Sequence, residues 1–387
     1  MSKKNVYMDH GATTPVRQEA LEAMLPFFTE LYGNPSSLHA QGRDVRKAFE
    51  EARRITAASL GAEPDEIYFT SGGTESNNIA LRGAAKKQGS GHIITSSIEH
   101  HAVLDVCKDL EKQGFTVTYL PVDQFGLVSL EDVEASIKPD TFMISVMAAN
   151  NEVGTVQPVS EIGELAAKHG ILFHTDAVQV VGQIPLNLKE LNVDFLSLSA
   201  HKFNGPKGIG ALYKRKGVKI DPLYHGGGQE RKLRPGTENV PGVVGLSKAL
   251  ELAVGELPQK ADALEKLRDR LIEGLMEIDD VILNGHREKR LPGNINVSFQ
   301  YIEGESVLLS LDLQGVAASS GSACSSGSLD PSHVLSAIGL DHQTAHGSIR
   351  FSLGRGNTGE DIDYVLDIMP PIVERLRQMS PVRKEGG

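Results

Sequence analysis

Short apolar runs alternate with helical patterns from Ile67 to about Lys214: Ile67 to Thr70, His92 to Ser96, Thr116 to Leu120, Phe142 to Met147, Ile171 to His174, Asp194 to Leu198 and Gly210 to Tyr213. Intervening segments such as Asn77 to Lys86 and Val159 to Lys168 carry apolar residues at three- and four-residue spacing, the period of one helix face. That alternation predicts an α/β domain, a mainly parallel seven-stranded sheet flanked by helices. In such sheets ligands collect beyond the carboxyl ends of the strands. Ser71, Asp176 and Ser199 through Lys202 fall at such ends.

The flanks differ from this block. Arg43 to Leu60 reads as an amphipathic helix with Val45, Ala48, Phe49, Ala52 and Ile55 on one face, stopped by Gly61. After the block, a turn-rich region from Leu223 to Pro241 leads to a long charged helix, roughly Pro258 to Glu277. The pattern then changes to isolated strands and helices: Asn294 to Phe299, Glu305 to Leu313, Val316 to Ala318, His333 to Ile338, Ser348 to Leu353 and Asp361 to Met379. Thr358 and Asp361 have the spacing of a capping box before the last helix. A chain of 387 residues exceeds one ordinary core. The expected division is a large α/β domain over 16–258 and a smaller α+β domain made of 1–15 and 259–387.

Composition narrows the function classes. A net charge of -11 argues against a broad nucleic-acid surface, which needs clustered Lys and Arg. No apolar run approaches the length of a membrane span, and after Lys3-Lys4 the chain turns polar at Asp9 and His10 instead of into a signal-peptide core. A cytoplasmic location is expected. The two cysteines form no CxxC pair and no disulfide framework. Cys107 lies in a helical pattern and is expected to be buried. Cys324 has neighbours Gly, Ser and Ala (Gly321-Ser322-Ala323-Cys324-Ser325-Ser326-Gly327), which build no core and favour a chemical role.

Several residues can carry chemistry. Phe69 to Asn78 reads as a strand, a glycine turn and a helix start, where exposed amides, the positive end of the helix and the Thr74 hydroxyl would hold a phosphate. The turn lacks the GKS or GKT of a nucleotide P-loop, so a monophosphate fits better than a triphosphate. Asp176 ends an apolar strand, where a carboxylate needs a partner; a protonated pyridine nitrogen would serve, as would a helix cap or a neighbouring Lys. Lys202, between His201 and Phe203, has no other charge nearby until Lys207, and partial desolvation leaves more free amine for imine formation. A lysine and a carboxylate at neighbouring strand ends suit a pyridoxal phosphate enzyme. His100 and His101 form neither HxxxH nor HExxH, so no metal centre is expected; one imidazole could lie on an aromatic cofactor, or both could belong to a polar loop. Arg350, in the alternating strand Ser348 to Leu353, suits bidentate capture of a carboxylate, although a solvent-facing charge reads the same way, as it does for Arg355.

The segments Met8 to Pro15, Gly33 to Ser37, Thr70 to Asn78, Asn150 to Gly154, Asp176 to Gln179, Ser199 to Gly210, Arg234 to Asn239, the Cys324 loop and Ile349 to Arg355 resemble the cysteine desulfurases of the NifS and IscS type, class V enzymes of pyridoxal phosphate fold-type I. The likeness runs essentially end to end, with Arg-Pro-Gly-Thr at 234–237 where Arg-Ser-Gly-Thr is usual. It implies Lys202 as the Schiff-base lysine, His100 against the cofactor ring, Asp176 on the pyridinium and Gln179 near the ring hydroxyl. Gly73, Thr74, Ser199 and His201 would hold the phosphate, with Thr237 supplied by the other subunit of a homodimer. Asn34, Asn151 and Arg350 would orient the substrate, Asn151 also bordering the cofactor.

The same resemblance implies that L-cysteine gives up its sulfur to Cys324, leaving L-alanine and a persulfide that passes to an iron-sulfur scaffold or another acceptor. Cys324 would be the nucleophile and a transient ligand for a nascent cluster. The rival readings are a selenocysteine lyase, a class V aminotransferase, which would not need Cys324, and a non-catalytic sulfur-transfer partner that keeps the fold.

Overall fold

The computed structural model describes residues 4–320 and 331–380, so the predicted nucleophile Cys324 lies outside the described residues. Strand β1 (Val6–Tyr7) comes first. The main-sheet strands follow: β2 (Ile67–Thr70), β3 (His92–Ser96), β4 (Thr116–Leu120), β5 (Thr141–Ser145), β6 (Leu172–Asp176), β7 (Phe195–Ser199) and β8 (Gly210–Lys214). Four short strands complete the set: β9 (Val281–Leu283), β10 (Asn294–Phe299), β11 (Val316–Ala317) and β12 (Ser348–Ser352).

The main sheet has seven strands in the order β2-β8-β7-β6-β5-β3-β4. Strand β8 is antiparallel to both its neighbours, whereas β7, β6, β5, β3 and β4 pair in parallel. Since β2 therefore points the same way as β7, Ser71, Asp176 and Ser199 reach the same edge. The two-residue side-chain period divides each strand between two cores. Tyr68, Ile93, Phe195 and Leu212 pack with Ile79, Val103 and Cys107 of the helices Gly73–Gln88 and His101–Lys112 on one face. Phe69, Ile94, Leu196 and Ala211 pack with Phe49, Ile162 and Leu246 of the helices Ala40–Leu60, Val159–His169 and Val240–Gly255 on the other. Burial on both faces explains why these strands read as continuous apolar runs.

The helix Ala40–Leu60 is stopped by Gly61, whose φ of 73° is the left-handed C-cap conformation that glycine adopts without strain. Helix Val240–Gly255 lies where the sequence pattern predicts only turns up to Pro241 and no further helix until about Pro258. It packs on Ala40–Leu60 and Gln18–Met24, and its near-continuous apolar composition obscures a one-sided helical stripe.

A third core holds the C-terminal elements. Strands β12-β10-β9 form an antiparallel sheet whose Ile295, Val297 and Phe351 pack with Leu271 of helix Leu257–Met276 and Val365 of helix Gly359–Met379. Val6 and Met8 join this cluster, and β1 pairs in parallel with β11. The predicted capping box is present: Thr358 accepts from the Asp361 amide, and the Asp361 side chain accepts from the Thr358 amide. The segment after β1 then runs back to the main sheet, where Thr14 donates backbone N–H and side-chain O–H bonds to the His201 carbonyl at 3.0 and 2.9 Å.

Among the described residues no helix is long and apolar enough to cross a membrane.

Candidate active site

The carboxyl edge of the main sheet opens into a cavity of about 540 Å³ lined by Gly11, Gly73, Thr74, Asn77, His100, Asn151, Asp176, Gln179, Ser199, His201, Lys202, Ser332, His333 and Arg350, among others. Strand ends deliver Asp176, Ser199 and the turn Ala200–Lys202 directly. Helix starts deliver Gly73 and Thr74 after β2, and His100 after β3.

Lys202 Nζ donates to the carbonyls of Gly11 and Ala12 at 2.5 and 2.8 Å, so the segment after β1 holds the amine at the cavity wall. Gln179 Nε2 donates to the same Gly11 carbonyl at 3.1 Å. Asp176 is buried; its Oδ2 accepts from Asn77 Nδ2 at 2.6 Å and its Oδ1 from the Val178 amide at 3.0 Å. These bonds reduce the cost of a buried carboxylate. Among the described residues Asp176 makes no salt bridge to a lysine, and it caps the turn that follows it.

His100 caps its helix by accepting the Ala102 amide at Nδ1, 3.0 Å away. Burial lowers its pKa, against the opposing field of Asp176. His201 is pushed down to about 4 by burial and then by Lys202 and Lys207, so it is a neutral ring at physiological pH, 3.2 Å from the Thr13 hydroxyl. Below the floor, buried His174 lies between the hydroxyls of Ser145 and Ser197 at 2.8 and 3.2 Å, with its pKa lowered to about 4 by burial.

Arg350 is 3% exposed. Nη1 donates to the Asn151 carbonyl at 3.0 Å and Nη2 to Asp9 at 3.1 Å, while buried Nε has no hydrogen-bond partner among the described residues. The reading of Arg350 as a solvent-facing charge is thereby corrected.

Two predicted residues lie apart from this cavity within the chain. Asn34 is exposed, its Oδ1 accepting from the Ser36 amide at 2.8 Å. Exposed Thr237 borders a separate cleft with Ser71, Gly208 and Arg234. The cavity also takes residues that the sequence alone does not mark as functional: Asn77, Glu152, Ser332 and His333, with Glu99 directly behind them. Glu99 is fully buried, accepts from the Ser96 hydroxyl and Met147 amide at 2.6 and 2.8 Å, and is pushed up to about 8 by burial. Asn77 and Glu152 sat inside segments already marked by motif, which was the signal available for them.

A family model described as aminotransferase class-V matches residues 6–365. The chain belongs to the class-V aminotransferase family. Among class-V relatives, it is 60% identical to a protein named cysteine desulfurase IscS from Methanosarcina thermophila, over 98% of this chain and 94% of that one. It is 57% identical to a protein of the same name from Dictyoglomus turgidum, over 99% and 98%. Of solved structures, a NifS-like protein superposes with a TM-score of 0.90 at 46% identity, covering 96% of this chain and 99% of that one. A structure described as SspA in complex with cysteine superposes with a TM-score of 0.81 at 42% identity, covering 90% and 99%.

The class-V cofactor is pyridoxal 5'-phosphate, and the residues present fit it. The donor set supplies an amine, a carboxylate and neutral imidazoles in one cavity. The phosphate end has a close-packed glycine cradle: a Cβ on Gly73 would lie 2.6 Å from Val178 Cγ2, and one on Gly210 only 2.7 Å from Gly72 Cα. The helix that begins at Gly73 turns its free amides toward this end.

Proposed function

We propose that this chain is a pyridoxal phosphate-dependent cysteine desulfurase that converts L-cysteine to L-alanine and passes the sulfur on, through Cys324, to an acceptor used in iron-sulfur cluster assembly or other thiolation. The observation that carries the reading is the convergence of Lys202, Asp176 and His100 on a cavity whose wall holds Arg350, its buried Nε without a hydrogen-bond partner among the described residues. The names of the relatives and the neighbour holding cysteine support the same substrate.

The bound cofactor supplies an electron sink that weakens bonds at the substrate's α-carbon. The chain's own residues do the rest. Gly73, Thr74, Ser199 and His201 would hold the phosphate, and Asp176, fixed by Asn77, would serve the ring nitrogen. Gln179 and His100 would bound the ring, and Lys202 would hold the aldehyde end and carry the α-proton at Nζ. Arg350 and Asn151 bind the substrate's carboxylate end. Attack by the Cys324 thiolate on the substrate sulfur forms an S–S bond and breaks the C–S bond, the electron pair staying with carbon until a proton completes alanine.

The reading includes a cytoplasmic homodimer in which Thr237 serves the partner's cavity, supported by its exposure at a separate cleft within this chain, and it keeps Asn34 as a substrate-orienting residue. It retains the division into a large domain over 16–258 and a small domain of 1–15 and 259–387, supported by the shared packing of Val6 and Met8 with the C-terminal core.

Incubation with L-cysteine and a reductant tests it. Equimolar alanine and sulfide are expected, and Lys202→Ala should abolish both. Turnover of an amino acid and a keto acid that survives Cys324→Ser, without sulfide, would favour an aminotransferase instead.

A further inference from the structure

Ser332 and His333 are neighbours in sequence, yet each is bonded to a different loop at the edge of the main sheet. The Ser332 hydroxyl donates to Glu152 while accepting the amides of Val334 and Leu335. His333 Nε2 lies 2.9 Å from the carbonyl oxygen of Glu99. Val334 and Leu335 then pack on Ile98, Met147 and Val153. Two polar ties and an apolar footing hold the His333 ring against the cavity wall.

A carbonyl oxygen only accepts hydrogen bonds, so Nε2 carries the hydrogen and Nδ1 of the neutral ring keeps its lone pair. The neutral ring is favoured here: burial lowers the pKa of His333 most, and His101, Lys108 and His100 add to this against the Glu99 bond. No described residue donates to Nδ1, and the ring lines the same cavity as Lys202 and Arg350. At His100, by contrast, Nδ1 is already engaged by the Ala102 amide. A second imidazole therefore brings an acceptor to the cavity.

We propose that His333 is a further substrate-contacting residue, its Nδ1 accepting the side-chain S–H of the amino acid whose carboxylate Arg350 binds. This inference rests on the desulfurase reading above. It makes the contact one that L-cysteine has and the product L-alanine lacks.

Two variants of the holoenzyme separate a substrate contact from a merely structural tie. His333→Gln places an amide N–H near Nε2 and preserves the bond to Glu99, but removes the acceptor at the δ position. His333→Asn keeps an acceptor near Nδ1 and gives up the bond to Glu99. For one lost hydrogen bond to substrate, His333→Gln should lower kcat/KM for L-cysteine about 10-fold. His333→Asn should stay within about 3-fold of wild type. L-alanine affinity, read from the visible spectrum, should be unchanged in both. Equal activities, the reverse order, or L-alanine binding that weakens in step with kcat/KM would overturn the proposal. Failure of the underlying reading would show differently, as a wild-type enzyme that makes no alanine from L-cysteine.

Discussion

Asn77 Nδ2 donates to Asp176 Oδ2 at 2.6 Å, joining the second turn of the helix that forms the phosphate cradle to the carboxylate at the end of β6. Both side chains are buried, and Asn77 Oδ1 has no hydrogen-bond partner among the described residues. One bond thus couples the two ends of the cofactor site.

Removing that bond should loosen cofactor binding while the fold survives, because alanine is a good helix former. Asn77→Ala is expected to weaken retention of pyridoxal phosphate about 10-fold, the scale of a charge-assisted hydrogen bond. Asn77→Asp should be worse, since it sets a second carboxyl against Asp176. Dialysis followed by visible absorbance measures both.

Glu99 makes a pH-dependent contribution to stability. Burial raises its folded pKa from 4.5 to about 8, so the native state holds a proton that the unfolded chain releases. The resulting stabilisation is fully present below pH 4.5 and is lost as pH rises through about 8. Glu99→Gln, which can still accept from Ser96 and Met147, does not titrate. Its stability relative to wild type should therefore rise by on the order of 3 kcal/mol between pH 5 and 8 and level off above. Denaturant unfolding of both proteins across that range checks the slope; parallel curves would refute the assignment.

Arg350 offers a test of substrate positioning. A lysine keeps the charge but loses the planar fork that holds Asp9 and the Asn151 carbonyl together. Arg350→Lys is expected to raise KM for L-cysteine roughly 30-fold with a smaller change in kcat, the cost of a lost bidentate contact. Steady-state alanine formation measures it, and thermal unfolding of the same variant shows how much is lost folding stability.

The sheet was legible because its strands are buried on both faces: Ile67 to Thr70 or Phe195 to Ser199 carry their burial in their own composition. Lys202 and Asp176 were legible because charge at the end of an apolar run is locally anomalous. Glu99 and His333 were not, since an acid beside a histidine or a histidine heading a five-residue helix is ordinary until tertiary packing removes its water. Helix Val240–Gly255 escaped for a related reason: its faces are too alike in composition to show a stripe. Asn34 and Thr237 were named through family resemblance alone, and the single chain leaves both outside the cavity.

The central claim is that Lys202 is the residue to which pyridoxal phosphate is attached. Borohydride reduction of the yellow protein, digestion and mass spectrometry should place the phosphopyridoxyl mass on the peptide containing Ser199-Ala200-His201-Lys202 and on no other lysine. The same adduct found on a different peptide, or a protein that takes up no cofactor at all, would contradict it.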